Sequence, residues 1–555
     1  MQSAICKQVI ILGFDGATFD LIKPWASQGK LPAFAKLMET GAWGDLASTI
    51  PPHSPPAWST FSTGLNPGKH GVIDFRRRKF GTYETVLTNG NHRRGYPIWR
   101  ILSDHGRVVG VVNIPITYPP EPVNGCLISG MDTPESAANY TYPPDLASEL
   151  IHETGNHISF VGAFLLEDMN AGRYDSAWNR IKKTLEWRIE TVRYLLNSRD
   201  FNCFVVNFRA TDAVQHHFWR FMDPTHPQYE EKAAASYGNC IYKVYKKLDD
   251  YLAEVWSDLD EESILVVMSD HGFGPASNKA VYLNNWLEQQ GLLKSKNRAG
   301  RAWWRRYVPD SAKTVIRKLM PNLYDKARSP LSSFFFDWSE TRAHADEYLQ
   351  CIWINLVGRD PQGTVQPGDE YEELRSFIIE GLESLRDPDT GLPVVRKVYR
   401  REDIYWGTQL DILPDLQVEQ RWEPFFQLRP SYTAPDLAPV RTLTPAKVMA
   451  DRLLSGVHRP NGIFLAAGAN IRPGKDLSGL KLIDLPPTIL YLLGIPVPNS
   501  FDGTVLNEIL QNPVPVEYTS EYDDESFRHQ EDDDLYSGQD QESILERLRG
   551  LGYVD

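Results

Sequence analysis

The sequence predicts an α/β sandwich: a mostly parallel central sheet flanked by helices, with an inserted cap region. Three observations carry this. Short apolar runs (Val9–Leu12, Val108–Val112, Phe201–Phe208 and Ile264–Met268) alternate with longer amphipathic stretches, notably Tyr174–Asn197 and Ala233–Trp256, as in chains built from βα units. The runs are apolar on consecutive residues, which suits strands covered on both faces. Asp15, Asp212 and Asp270 each stand just beyond the C-terminal end of such a run, where an open parallel sheet gathers its ligands.

Taken in order, Val9–Leu12 ends in Gly13-Phe14-Asp15-Gly16, a buried strand with a polar residue at its exit. Ala33–Glu39 reads as a short helix with Pro32 just ahead of it, where a missing N–H is tolerated. Pro51-Pro52-His53-Ser54-Pro55-Pro56 cannot be helix interior and reads as a loop. Val108–Val112 leads into the Pro-rich loop 115–120, Phe201–Phe208 into Thr211-Asp212, and Ile264–Met268 into Ser269-Asp270-His271-Gly272. The pattern weakens after about 284 and resumes near Gly456. The expected organisation is a catalytic core in two parts (1–284 and 441–512), an inserted cap (285–440), and an acidic flexible tail (513–555) closing in a short amphipathic helix over Ser543–Tyr553.

Composition bounds the function. The chain has 555 residues and 58 Lys+Arg against 72 Asp+Glu, a net charge of −14, which argues against a nucleic acid polymer as partner. Five scattered cysteines with no C-x-x-C spacing imply neither disulfides nor a thiolate metal site. No window approaches the roughly 18 apolar residues of a membrane span, and no secretory leader is visible, so a cytoplasmic location is expected. The stretch Lys294–Arg328 holds eleven basic residues against two acidic, with Trp303 and Trp304 among them. Its first reading is a solvated amphipathic cap; its second is a grip on an anionic substrate or peripheral membrane contact through 294–338. Glu517–Asp540 carries ten acids and one Arg, so the two segments could dock on each other.

Four pieces supply metal ligands. They are Asp15; Asp212 and His216, whose i, i+4 spacing puts both on one helix face; Asp270 with His271; and His458. Three Asp and three His suit zinc first and manganese second, and are enough for two ions. Singly each piece is commonplace, since an Asp after a strand is more often a helix cap; their joint placement is the signal. Ser54 is the hydroxyl that a neighbouring cation could activate as a nucleophile, its plainer reading being a capping serine. His217 reads as structural, His70 as loop-fixing, His53 as a turn residue and Lys69 as solvated.

Gly13-Phe14-Asp15-Gly16, Ser54 and Thr63-Gly64-Leu65-Asn66-Pro67-Gly68-Lys69-His70-Gly71 resemble the type I phosphodiesterase/nucleotide pyrophosphatase branch of the alkaline phosphatase superfamily. In that family a Thr or Ser stands ten residues before the Gly of T-G-x-x-P-x-x-H-G, as Ser54 stands before Gly64. The family's D-x-x-x-H is matched by Asp212 and His216, its D-H-G by Asp270-His271-Gly272, and its late His by His458, over most of residues 8–280 and 445–510. The resemblance implies an alkaline-phosphatase-like sandwich, a small phosphoester substrate, and two divalent ions, zinc or else manganese. It assigns one ion to Asp212, His216 and His458, and the other to Asp15, Asp270, His271 and the Ser54 oxygen. Ser54 then attacks phosphorus and forms a covalent intermediate. The chain departs from the nucleotide pyrophosphatases at Ala57, where they place an Asn. Asn113 and Thr117 are the substrate-binding donors expected instead. The related sulfatase motif C/S-x-P-S-R is not matched. Two other outcomes stay open: transfer of the phosphoryl group to an alcohol, which product analysis would separate, and a metal-stabilised non-catalytic scaffold.

Overall fold

The computed structural model describes residues 4–155, 165–296, 336–346, 350–423, 425–429, 438–444, 448, 454–524, 527, 535–551 and 553. Most of the basic stretch 294–328, and with it the expected membrane or tail contact, lies outside them.

The apolar runs form a nine-stranded sheet. Its strands are β1 (Gln8–Phe14), β2 (Ala42–Ala47), β3 (Val109–Ile114), β4 (Gly125–Ser129), β5 (Thr141–Tyr142), β6 (Cys203–Phe208), β7 (Ser263–Met268), β8 (Asn461–Gly468) and β9 (Lys475–Lys481). They lie in the order β9-β2-β8-β7-β1-β6-β3-β4-β5. The five central strands, β7 to β4 in that order, are all parallel. Antiparallel β8 joins β7 to β2, and β5 closes the far edge.

Alternation along β1 divides the core into two layers. Ile10, Leu12 and Phe14 belong to one apolar cluster with the helices Tyr174–Ser198, Ala210–Met222 and Cys240–Asp258. Val9 and Ile11 belong to another, with Ser54–Thr63, Ile98–Asp104 and Leu485–Leu492. Helices therefore cover both faces, which is why these strands are apolar throughout. A third cluster, from Val281 to Val440, forms around a four-stranded sheet over 343–420 and the helix Asp369–Glu383. All five cysteines are buried and unpaired. Among the described residues, no helix is long and apolar enough to cross a membrane.

Several expectations need correction. The segment Ala233–Trp256 is two helices, Glu231–Tyr237 and Cys240–Asp258, interrupted at Gly238 and Asn239. Ser54 is not in a loop but opens a helix, because Pro55 and Pro56 fall in the first turn, where their missing N–H groups leave no bond unmade. The described part of the acidic segment leaves Glu517, Glu521 and Asp524 exposed but is tied to the core. Tyr518–Thr519 pairs with Val497–Pro498, and Tyr522 and Tyr536 are buried. The last helix runs Gly538–Gly550, starting earlier than expected because Ser537 and Asp540 make a reciprocal capping box.

Candidate active site

The site lies at the C-terminal edge of β1, β6 and β7. Asp15 directly follows β1, and Asp270 and His271 lie just past β7. After β6, the Ala210–Met222 helix brings Asp212 in its first turn and His216 one turn on. His458 comes from the strand Gly456–Arg459, which pairs antiparallel with Gly272–Pro275. Ser54 enters from the helix on the opposite layer. All seven side chains are buried or nearly so: Asp15, Ser54, Asp212, Asp270 and His271 at 0%, His216 at 2%, and the His458 side chain at 10%.

Two groups of ligand atoms converge. Asp15, Asp270 and His271 form one, and Asp212, His271 and His458 the other, each with its atoms within 4.8 Å of one another. His216 Nε2 adjoins the second group, 3.1 Å from Asp212 Oδ1 and 3.0 Å from His458 Nε2. Ser54 Oγ lies between the groups' edges, 3.4 Å from Asp15 Oδ1 and 3.3 Å from His271 Nε2.

The tautomers follow from the outer contacts. His216 Nδ1 donates to Gly456 O at 2.8 Å, His271 Nδ1 to Gly272 O at 3.0 Å, and His458 Nδ1 to Pro52 O at 3.2 Å. A carbonyl can only accept, so in each neutral ring Nε2 is a bare lone pair aimed into the site. This is the arrangement in which a backbone oxygen orients a metal-ligating imidazole. The electrostatics show how tightly charge is crowded here. Burial, reinforced by Asp270 and Asp212, pushes the Asp15 carboxyl up to about 7. Burial alone would lower His271, but Asp270, Asp15 and Asp212 outweigh it and hold the ring above its usual value. Burial would raise Asp212; His216, His458 and Arg209 hold it well below the carboxylate range. Burial, with His271 beside it, drives His458 far down. Such a crowd of carboxylates and lone pairs fits divalent cations held by N and O donors.

Close packing fixes the loops. Gly16 has φ +65°, and a Cβ there would lie 2.8 Å from the Phe273 ring; its N–H reaches Asp270 Oδ1 at 3.3 Å. Asn207 Nδ2 donates to Asp15 Oδ2 at 2.8 Å.

The two expected substrate-binding residues are placed differently. Asn113, buried with φ +61°, donates its Nδ2 to Asn207 O at 2.9 Å. Thr117 Oγ1 donates to Ile114 O and accepts from Gly130 N, which holds the β3–β4 loop. Among the described residues neither bonds Ser54 or a ligand carboxylate. Of the residues read as structural, His70 bonds Thr60 Oγ1 and Val72 N, and His217 Nε2 donates to Gly550 O. Lys69 is not solvated: its Nζ lies 2.9 Å from Asp502 Oδ1 with 13% of the side chain exposed.

Two further side chains, not among the expected site residues, reach the site. Arg209, at the start of the Asp212 helix, lies 2.7 Å from Asp212 Oδ2 and 3.4 Å from Asp15 Oδ2. Tyr553 follows the last helix and sets its hydroxyl 2.8 Å from Ser54 Oγ. Burial holds that phenol well above its ordinary range despite Arg209 nearby, so it carries a proton to donate. An Arg one turn before the D-x-x-x-H was a readable signal; Tyr553 offered none.

The type I phosphodiesterase / nucleotide pyrophosphatase family model matches residues 9–442. The chain belongs to this family. It is thereby a hydrolase of the phosphodiesterase/nucleotide pyrophosphatase class, from a metal-dependent family that acts on small phosphoesters such as nucleotides. No curated protein matches it in sequence. Among solved structures it is similar to human ectonucleotide pyrophosphatase/phosphodiesterase 5, at 14% identity and TM-score 0.48 over 91% of this chain and 100% of that one. It is also similar to the murine counterpart, at 14% identity and TM-score 0.47 with the same coverage; another murine structure, of an inactive form with AMP, gives the same values.

Proposed function

We propose that the protein cleaves small phosphodiesters or phosphoanhydrides at a paired-cation site, with Ser54 Oγ as nucleophile. Asp212, His216 and His458 would hold one ion, and Asp15, Asp270 and His271 the other, next to Ser54. The observation that carries this reading is the set of three imidazoles whose Nδ1–H groups are spent on carbonyls, so that three Nε2 atoms and three carboxylates are left to two adjoining buried ligand groups. The nitrogen and oxygen donor set favours zinc, then manganese. Bound divalent ions supply the positive charge that activates a hydroxyl and offsets the charge of a phosphoryl group.

The chain's own residues do the rest. Asp15 and His271 bracket Ser54 Oγ and fix its direction. Asn207 and the Gly16 N–H steady the two carboxylates that border it. Ser54 opens its helix, so the positive end of the helix dipole faces the incoming anion. In the first half-reaction the Ser54 Oγ–H proton passes to solvent, the Oγ–P bond forms, and the P–O bond to the leaving group breaks, its oxygen leaving as the anion or taking a proton from water. Water then attacks the phosphoseryl ester, restoring Ser54.

The test is hydrolysis of a bis-aryl phosphate by the zinc- or manganese-loaded protein, wild type and Ser54→Ala. The variant should lose roughly 10³-fold or more in kcat/KM. Full activity in Ser54→Ala would remove Ser54 from the mechanism.

A further inference from the structure

The last helix is anchored as core. Arg547, with 0% exposure, donates Nη1 to Met131 O at 2.9 Å and to Thr133 O at 2.7 Å. Tyr536 donates to Asp132 O, and Gly550 O accepts from His217. Ile544, Leu548, Leu551 and Tyr553 belong to the same buried cluster as Ile10, Leu12 and Phe14 of β1. The segment that delivers Tyr553 is therefore part of the folded core, not a strap laid over a finished surface.

Two hydrogen-bond donors meet beside the nucleophile. The Tyr553 hydroxyl touches Ser54 Oγ at 2.8 Å and accepts from Arg209 Nη2 at 3.2 Å. The Arg209 guanidinium lies 5.1 Å from the Tyr553 ring centroid, and Phe75 packs edge-on against the same ring with centroids 5.0 Å apart. Arg209 is 7% exposed; its Nε has only the 3.4 Å ion-pair contact with Asp15 Oδ2, and among the described residues its Nη1 has no hydrogen-bond partner. A buried guanidinium with N–H groups to spare is costly unless an anion satisfies them. Nη2 is shared between Asp212 and Tyr553, which leaves Nη1 as the spare donor, and the Tyr553 hydroxyl links the guanidinium to the atom that attacks.

We propose that Tyr553 and Arg209 are the phosphoryl-oxygen donors of this site: the phenol O–H and the spare guanidinium N–H groups bind a non-bridging oxygen of the phosphoester while Ser54 Oγ attacks phosphorus. This rests on the assignment of Ser54 as nucleophile. Without substrate the phenol is satisfied by Ser54 and Arg209. When a phosphoryl group enters, the phenol rotates off Oγ and donates to the phosphoryl oxygen instead. Neither donor gives up its proton: the Ser54 Oγ–H proton passes to solvent water as the Oγ–P bond forms, the leaving P–O bond breaks, and the departing oxygen takes a proton from water. Donors already in place where charge accumulates need no reorganisation during the reaction.

Tyr553→Phe keeps the ring and its packing and removes only the O–H. Three readouts are compared with wild type in the zinc-loaded full chain: kcat and KM on a bis-aryl phosphate, inorganic phosphate affinity by calorimetry, and Tm with bound-metal content. The expected result is a kcat lower by roughly 10- to 100-fold, a KM changed far less, weakened phosphate binding, and unchanged Tm and metal. Arg209→Lys, which keeps the charge but not the fork, should also weaken phosphate binding. Higher activity in Tyr553→Phe would overturn the proposal, because the tyrosine would then be a block. So would unchanged kcat and phosphate affinity, or a loss that follows lowered Tm and lost metal. If wild type hydrolyses no phosphoester, the assignment of Ser54 fails separately. Phosphate affinity in the two variants still decides whether these side chains hold a phosphoryl oxygen.

Discussion

His216 Nε2 and His458 Nε2 lie 3.0 Å apart, and both face Oδ1 of Asp212, at 3.1 and 3.3 Å. With each Nδ1–H committed to a carbonyl, both rings turn Nε2 and the carboxylate turns Oδ1 toward one buried point. A cation resolves this. The metal-free protein should therefore gain stability on titration with zinc or manganese, by about 2.7 kcal/mol per site at a hundredfold excess over Kd. Asp212→Asn or His458→Ala should remove one ion of two. Scanning calorimetry and elemental analysis measure both; a melting temperature indifferent to chelator would contradict the assignment.

Gly272 joins His271 to the pairing with Gly456–Arg459. A Cβ at Gly272 would stand 1.9 Å from Asn461 O, a backbone atom that cannot swing aside. Gly272→Ala should thus push the two segments apart and shift His271. The expected cost is about 1–3 kcal/mol, as for other overpacked sites, together with loss of the ion at Asp15, Asp270 and His271. A urea midpoint and a metal count test the two parts independently.

Lys69 and Asp502 form a nearly buried pair that ties three segments together. Asp502 Oδ1 takes Lys69 Nζ at 2.9 Å and Trp406 Nε1 at 2.8 Å, while Oδ2 takes the Asn66 backbone and side-chain N–H groups at 2.8 and 2.9 Å. Asp502→Ala takes an acceptor from all four donors, and only Lys69 Nζ, on Ser500 O, and Asn66 Nδ2, on Trp406 O, keep another. Breaking such a pair from one side costs about 3 kcal/mol or more, and denaturant unfolding of the variant should show it.

These contacts mark what the chain could reveal before folding. β1, β3, β6 and β7 were legible because strands buried on both faces must be apolar at consecutive positions, and their exits located Asp15, Asp212 and Asp270. The Ser54 helix was not, because Pro55 and Pro56 forbid a helix interior yet suit a first turn. Lys69 looked solvated because its partner is Asp502. Tyr553 lies 499 residues from Ser54, a separation over which no periodicity or spacing carries information. Only packing of the last helix under Asp132 and Met131 brings it in.

Asp74 offers a test of buried charge away from the ligand set. It is 1% exposed, its Oδ1 accepts from Phe75 N at 2.6 Å, and its Oδ2 has no hydrogen-bond partner among the described residues. Burial pushes its carboxyl up to about 8; the Phe75 N–H and Arg76 oppose this and Asp346 adds to it. A folded value above the ordinary 3.8 means the folded form holds a proton that the unfolded chain has released. The stability it contributes is whole below pH 4 and drains away as pH rises towards 8. Each pH unit in that window is worth up to about 1.4 kcal/mol. Asp74→Asn cannot ionise and keeps an oxygen for Phe75 N. The variant should therefore gain on wild type steadily from pH 5 to pH 8, by about 2–4 kcal/mol in all. Urea unfolding of the metal-loaded proteins at pH 5, 6, 7 and 8 measures the difference, and the slopes of the other buried carboxyls cancel between the two. Parallel curves would mean that Asp74 is already ionised in the fold, with Arg76 and its neighbours outweighing burial.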